Sequence, residues 1–441
     1  MYWLIVFAKS VIGLPLGLMV WFITAAAQGL AVAFFAIVFQ CLQRRSTVIV
    51  VLGSASAWTV IEWIRQLGVL GVAWGDLGYT QHNPDPLSQL SRLGGVWLVS
   101  FMIVAINVLL WALVTRKNKP FTGIAIASAF AAMYAYGLYQ IHTEELRPNY
   151  VASALQSDIN IDVPWHGNRP GDAIYVMSIM NLIHKQLSQA SKNGSRLAVT
   201  SETNFPGYLK TDLVLQQQVA QDCREFGTSI VVGGYDSDPQ THLDINSLFL
   251  MNRSGNVVGE YQKRHLVPYG EVVPGRKWLP FLSVFHLTGY DRQPGPNVQP
   301  LMDDGKKVGK VAAVICYEST YPDLVREQTF RGGNIIVIGS DDTWFGRTAA
   351  ARQHTNMSEV RAIENDRYLV RCAATGFSEI IDPNGRVVAS APLFTRQVIS
   401  AAVQNRSTLP PYVRYGDWII WSSFLVLFGI GTTAISRDAQ T

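Results

Sequence analysis

The stretch Lys310-Val311-Ala312-Ala313-Val314-Ile315-Cys316-Tyr317-Glu318-Ser319 decides how the outer part of this 441-residue chain folds. The apolar run Val311 to Ile315 reads as a strand, a cysteine follows it directly, and Pro322 then opens a helical stretch to Phe330. A turn from strand to helix can expose a nucleophile to substrate and set it among backbone N–H donors. A packing thiol is the plainer reading of a lone cysteine in such a place, so the reading depends on what else the sheet brings to it.

Working outward, short β-branched runs alternate with helical patterns from Asn149 onward. The expected strands are Tyr150 to Leu155, Leu197 to Ser201, Ser229 to Gly233, Ser247 to Met251, Lys310 to Ile315, Ile335 to Gly339 and Tyr368 to Ala373. Helices are expected over Asp172 to Ala190, Thr211 to Phe226, Pro322 to Phe330 and Thr348 to Asp366. That alternation predicts a layered α/β domain. Asn384-Gly385, after Asp382-Pro383, marks a late hairpin. The proline-rich segment Val267 to Gln299, with its run Trp278-Leu279-Pro280-Phe281-Leu282-Ser283-Val284-Phe285, fits neither strand nor helix. It reads either as a long loop packed on the core or as an arm that meets the membrane or lines an acyl-chain pocket.

The rest of the chain has a different composition. Charged residues make up 15% of the sequence, below the roughly 25% of a soluble globular chain. Residues 1 to 141 hold only eight Lys/Arg and three Asp/Glu, whereas residues 142 to 416 hold 27 of each. Five apolar runs are of spanning length: Leu16 to Gln40, Thr47 to Ile64, Gly94 to Val114, Phe121 to Ile141 and Trp418 to Ile435. The division is therefore 1 to 141 for membrane helices, 142 to 416 for a catalytic α/β domain, and 417 to 441 for a last span with its tail. The net charge of +4 gives no argument for nucleic acid.

Lys and Arg near span ends are retained in the cytoplasm. Arg44 and Arg45, then Arg116, Lys117 and Lys119, put two connectors inside and place 66 to 93 and 142 to 417 outside, with the C-terminus cytoplasmic. Followed backwards, the alternation starts Met1 outside with no basic leader or cleavage site, which leads us to expect further helices upstream of it.

Other residues complete a possible chemistry. Leu197 to Ser201 ends at Glu202, a carboxylate at a strand end, and Lys263 stands in Tyr261-Gln262-Lys263-Arg264-His265-Leu266-Val267-Pro268-Tyr269-Gly270-Glu271. The four cysteines, 41, 223, 316 and 372, contain no CxxC pair or zinc spacing, so no metal is expected. Cys223 and Cys372 would both face an oxidising compartment, which leaves a disulfide between them open.

The order Glu, Lys, Cys with these flanks resembles the carbon–nitrogen hydrolase (nitrilase) superfamily, and more closely its membrane-bound branch, the apolipoprotein N-acyltransferases. Lys263 to Glu271 is similar to that branch's Lys-Arg-His-Leu-Val-Pro-Phe-Gly-Glu, with Tyr269 for Phe. Cys316-Tyr317-Glu318, Asp341-Asp342-Thr343-Trp344-Phe345-Gly346, Gln353-His354 and Arg361-Ala362-Ile363-Glu364 resemble further stretches, as do Glu62-Trp63-Ile64-Arg65, Gly78-Tyr79-Thr80-Gln81 and Leu93-Gly94-Gly95-Val96 in the membrane half.

The resemblance implies an αββα sandwich outside the membrane and eight spans with both ends cytoplasmic, against the five counted here. It implies that Cys316 takes an acyl chain from a phospholipid, phosphatidylethanolamine being the expected donor, and passes it to the amine of a diacylglyceryl-cysteine at an apolipoprotein N-terminus. Glu202 would be the base and Lys263 the oxyanion's cation, with the Tyr317 N–H as second donor. Glu271 and Glu318 would orient Lys263 or the incoming amine, and Trp344, Phe345 and Trp165 would lie near the site. No cofactor is expected, and a monomer in the bacterial inner membrane is. Ser201 stands where the family commonly has Pro, and Asp341 where it has Asn, so donor or acceptor preference could differ. A membrane-anchored amidase with the same triad is the alternative, and an inactive scaffold or transporter a more distant one.

Overall fold

The computed structural model describes residues 3–6, 13–68, 71–83, 85–116, 119–143, 145–159, 170–276, 278–281, 291–305 and 308–438. Trp165 lies outside the described residues.

Among the described residues twelve strands form two six-stranded sheets. One has the order β12-β1-β2-β3-β4-β5, where β1 is Tyr150–Gln156, β2 Ser195–Thr200, β3 Ser229–Ser237, β4 Asp244–Met251, β5 Val257–Gln262 and β12 Gln397–Val403. The other has the order β11-β10-β9-β8-β7-β6, where β6 is Met302–Asp303, β7 Lys310–Ile315, β8 Ile335–Ser340, β9 Leu369–Ala373, β10 Ser378–Ile381 and β11 Val387–Ala391. The three central strands of each run parallel, β1-β2-β3 and β7-β8-β9, and antiparallel partners flank them.

Strand alternation explains the layers. Ala152, Ala154, Leu197, Val199 and Val231 of the first sheet meet Val311, Ala313, Ile315, Val337 and Val370 of the second in a shared core. The opposite faces are covered by helices. Ala198, Ile230 and Val232 pack under α5 (Pro170–Lys192) and α6 (Leu213–Phe226). Ala312, Val314 and Ile336 pack under α7 (Pro322–Phe330) and α8 (Ala349–Asn365). Strands buried on both faces read as continuous apolar runs, which is why Val311 to Ile315 was legible. The result is the expected αββα sandwich. Cys223 and Cys372 are free thiols: Cys223 stands on α6 facing the first sheet and Cys372 lies between the sheets, and no disulfide joins them.

Among the described residues four helices are long and apolar enough to cross a membrane: α1 (Leu14–Leu42), α2 (Thr47–Ile64), α3 (Ser91–Thr115) and α4 (Lys119–Thr143). The expected fifth span belongs to α10 (Trp418–Asp438), whose apolar stretch Trp418–Thr433 is shorter than the other four. Helix α3 starts three residues before the expected Gly94 and breaks there, Gly95 taking φ +68° where a β-carbon would stand 2.7 Å from the Tyr412 ring.

The connector between α2 and α3 docks on the sandwich. Trp74, Tyr79, Val96 and Trp97 share a buried cluster with Met357 and Val360 of α8 and with Tyr412 of α9 (Pro411–Tyr415). Buried Arg92 reaches Asp366 at 2.9 Å and Asn384 Oδ1 at 2.8 Å. Helix α8 therefore lies between the sheet that carries Cys316 and the membrane half.

Candidate active site

Three strand ends converge. Glu202 follows β2, Lys263 follows β5 and Cys316 follows β7. The Lys263 ammonium, 1% exposed, sits 3.0 Å from Glu202 Oε1 and 3.0 Å from Glu271 Oε1. Burial works against its charge, but the two carboxylates outweigh burial and hold Lys263 above its ordinary range. Burial likewise opposes charge on Glu271, yet Lys263, Arg292 and the Val267 N–H bring it down to about 2. The lysine is thus a fixed cation that Glu271 keeps charged.

Cys316 is half-buried with φ +51° in the first position of a short 3₁₀ turn, Cys316–Thr320. Left-handed backbone is strained for a residue with a β-carbon and collects at functional sites. Its Sγ lies 3.8 Å from Asp341 O, and the Asp341 N–H donates to Glu202 Oε2 at 2.9 Å, so thiol and carboxylate bracket one residue. Burial first, and then the charge of Glu202, pushes the thiol well above its ordinary range, with Lys263 opposing. The resting thiol therefore keeps its proton and needs a base when substrate enters.

Glu318 lies buried in the nucleophile turn. Its carboxyl accepts from the N–H groups of Ile315, Arg264 and His265 at 2.9, 2.7 and 3.0 Å, and from the Tyr261 hydroxyl. It ties the nucleophile turn to the chain after Lys263 and so orients Lys263 through the backbone, while Glu271 does so by direct contact. Tyr317 turns its hydroxyl to Gly71 O at 3.1 Å, and Phe345 packs on Trp74 and His354 at 5.7 and 5.8 Å between ring centres. Trp344 is half-buried after β8. Of the arm, Trp278 and Phe281 are exposed, whereas Leu266 and Val273 at its start are buried.

The sequence reading missed several groups. Asn246 on β4 donates to Glu202 Oε1 at 2.7 Å and lies 3.3 Å from Glu271 Oε1, and Arg292 reaches Glu271 at 3.3 Å. A polar residue within a buried strand, as Asn246 is in β4, was the available signal. Behind Cys316, His354 of α8 joins Asp342 and Arg371 in a buried network. Among the described residues no group of His, Cys, Asp and Glu is arranged to hold a metal ion.

An ion-paired lysine beside a thiol and two carboxylates can carry nucleophilic acyl transfer. The carbon-nitrogen hydrolase family model matches residues 173–409, which contain all of these groups. The chain belongs to the carbon-nitrogen hydrolase family. Residues 1–109 match the model of the apolipoprotein N-acyltransferase N-terminal domain, so this family member also carries that branch's membrane part. Its relatives include the apolipoprotein N-acyltransferase of Geobacter metallireducens, 29% identical over 96% of this chain and 81% of the relative. That of Nitrosomonas europaea is 28% identical over 86% of this chain and 74% of the relative. Among solved structures, an amidase from Nesterenkonia sp. AN1 aligns over 63% of this chain and all of its own, at 16% identity and a TM-score of 0.45.

Proposed function

We propose that this chain is an apolipoprotein N-acyltransferase that works by a ping-pong mechanism through Glu202, Lys263 and Cys316. Cys316 Sγ attacks an ester carbonyl of a phospholipid while Glu202 takes the thiol proton. The oxyanion of the tetrahedral intermediate is met by the Lys263 ammonium and the Tyr317 N–H. As the ester C–O bond breaks, Glu202 returns the proton to the departing lysophospholipid, leaving a thioester. The α-amine of a diacylglyceryl-cysteine then attacks the thioester carbon and gives a proton to Glu202. The C–S bond breaks, and the proton returns to sulfur.

The observation that carries this reading is the Lys263 ammonium, buried and held by Glu202 and Glu271 where the strand ends before Lys263 and Cys316 converge. Glu271 fixes the lysine, Glu318 fixes the backbone on both sides of the site, and Trp344 and Phe345 border it. Phosphatidylethanolamine is the donor we favour, and a monomer is the state we propose. We place residues 1–141 and 417–441 in the bacterial inner membrane and residues 142–416 on its periplasmic side, with the C-terminus cytoplasmic. The basic connectors at Arg44-Arg45 and Arg116 support that orientation.

Incubation with phosphatidylethanolamine followed by mass spectrometry tests the nucleophile. An acyl adduct should appear on the peptide containing Cys316 and be absent from the Cys316→Ala variant. Persistence of the adduct in that variant would overturn the assignment.

A further inference from the structure

We propose that His354, together with Ser319, is a positioning residue of the nucleophile turn: the two hold the Cys316 carbonyl so that the peptide joining Cys316 to Tyr317 presents a polarised N–H to the oxyanion. The inference rests on the acyl-transfer reading above and extends it to a residue outside the triad.

The Cys316 oxygen receives two contacts from donors, Ser319 Oγ at 2.8 Å and His354 Nε2 at 3.1 Å. A carbonyl can only accept, so Nε2 carries a proton. Nδ1 lies 3.0 Å from Arg371 Nη2, which donates to it in the neutral imidazole. Asp342 Oδ1, 3.0 Å from Nδ1, pairs with Arg371 Nη2 at 3.0 Å and takes the Ser340 hydroxyl at 2.9 Å. Burial, and then the charge of Arg371, lowers the imidazole's affinity for a second proton. His354 thus presents an Nε2–H to the Cys316 carbonyl, with Ser319 Oγ 3.0 Å from the same nitrogen, while its Nδ1 faces Arg371 and Asp342.

The same peptide unit that receives these bonds at its oxygen carries the Tyr317 N–H at its other end. Hydrogen bonds to a carbonyl shift electron density off the amide nitrogen and strengthen its N–H as a donor. They also fix the plane of a peptide whose first residue is strained at φ +51°. Neither His354 nor Ser319 needs to touch substrate to have this effect.

The imidazole is also held from the membrane side. The Trp74 ring lies 5.7 Å from it, and Trp74 Nε1 donates to Gln353, its neighbour on α8, at 2.9 Å. Phe345 closes another edge, and His354 is fully buried. A network this enclosed imposes a fixed geometry on the turn.

The test compares two reactions of one thiol in the full-length protein. Acylation of Cys316 by p-nitrophenyl butyrate passes through an oxyanion, whereas alkylation by iodoacetamide does not. His354→Leu should slow single-turnover acylation about 10- to 100-fold, less than the ~10²–10³-fold loss of a direct oxyanion donor, while alkylation stays within about twofold of wild type. Ser319→Ala should show a smaller loss of the same kind, and His354→Gln, which keeps an N–H donor, should recover most of the acylation rate. Acylation unchanged in His354→Leu, or a parallel fall in alkylation, or a His354→Gln variant no better than His354→Leu, would overturn the proposal. So would a wild-type protein that takes no acyl group from the ester. The ester needs no lipid recognition, so a wild type acylated by it but not by phospholipid would count against the functional reading alone.

Discussion

Asp341, which the family resemblance sets against an asparagine, stands in an environment that makes its charge conditional. Burial, with the charge of Glu202 adding and the Thr343 hydrogen bonds opposing, pushes its carboxyl up to about 7. Below that pH Asp341 is neutral, like the amide it replaces. Above it, a second negative charge stands beside Glu202 and the thiol and opposes both thiolate and oxyanion. Acylation by phospholipid should therefore fall on the alkaline side with a midpoint near 7, and Asp341→Asn should remove that fall. A pH profile unchanged by the substitution would show that Asp341 stays charged or lies clear of the reaction. At this scale Glu202, Lys263 and Cys316, the triad proposed above, could be picked out because each closes a strand or follows one with a distinctive flank. Asn246, Arg292 and the group of Asp342, His354 and Arg371 were not read as a site, because only folding makes them neighbours: His354 Nδ1 and Asp342 Oδ1 come within 3.0 Å from a helix and a loop.

Strand β3 limits how closely the base can be held. A β-carbon on Gly233 would stand 2.2 Å from Ser201 O and 3.0 Å from Glu202 Cα, both backbone. Gly233→Ala must therefore move the end of β2 and Glu202 with it, at a cost of about 1–3 kcal/mol as overpacking. The expected outcome is a lower Tm together with loss of the acyl adduct, whereas Gly234→Ala, whose β-carbon would meet the Phe205 side chain at 3.2 Å, should keep the adduct. Equal activity in both variants would contradict the tight β2–β3 approach. The same pair of strands shows what the sequence conveyed about elements. Central strands such as β7 and β8 are unbroken apolar runs and were read within a residue or two. Edge strands were missed: β5 carries Gly259 and Glu260, and β11 (Val387–Ala391) and β12 (Gln397–Val403) mix Ala, Ser and Gln with half-exposed positions. Their strand identity comes from their partners, β12 being paired with β1 some 250 residues earlier in the chain. The hairpin between β10 and β11 was legible because Asn384-Gly385 suits a tight turn.

On the scale of the whole molecule, the low overall charge is an average over an apolar helical half and a sandwich of balanced charge. The boundary between them is made of specific polar contacts as well as packing. Arg92 on the first turn of α3 and Arg406 after β12 both pair with Asp366, which ends α8, and Arg361 and Tyr79 meet at 2.7 Å. Of these, Arg92 and Arg361 are buried and bridge the two halves, and no periodic pattern announces such contacts. Their position ties α8, and through His354 the nucleophile turn, to the membrane connector. In the function proposed above, the enzyme draws its acyl group from the bilayer and delivers it in a second step to an amine. Chasing the isolated acyl-enzyme tests that claim most directly. After loading with phosphatidylethanolamine, one lysophospholipid should be released per Cys316. The acyl chain should then leave Cys316 when a diacylglyceryl-cysteine peptide is added and be recovered as an amide on that peptide's α-amine. Release of the chain only to water as free fatty acid, with the peptide unmodified, would contradict the account.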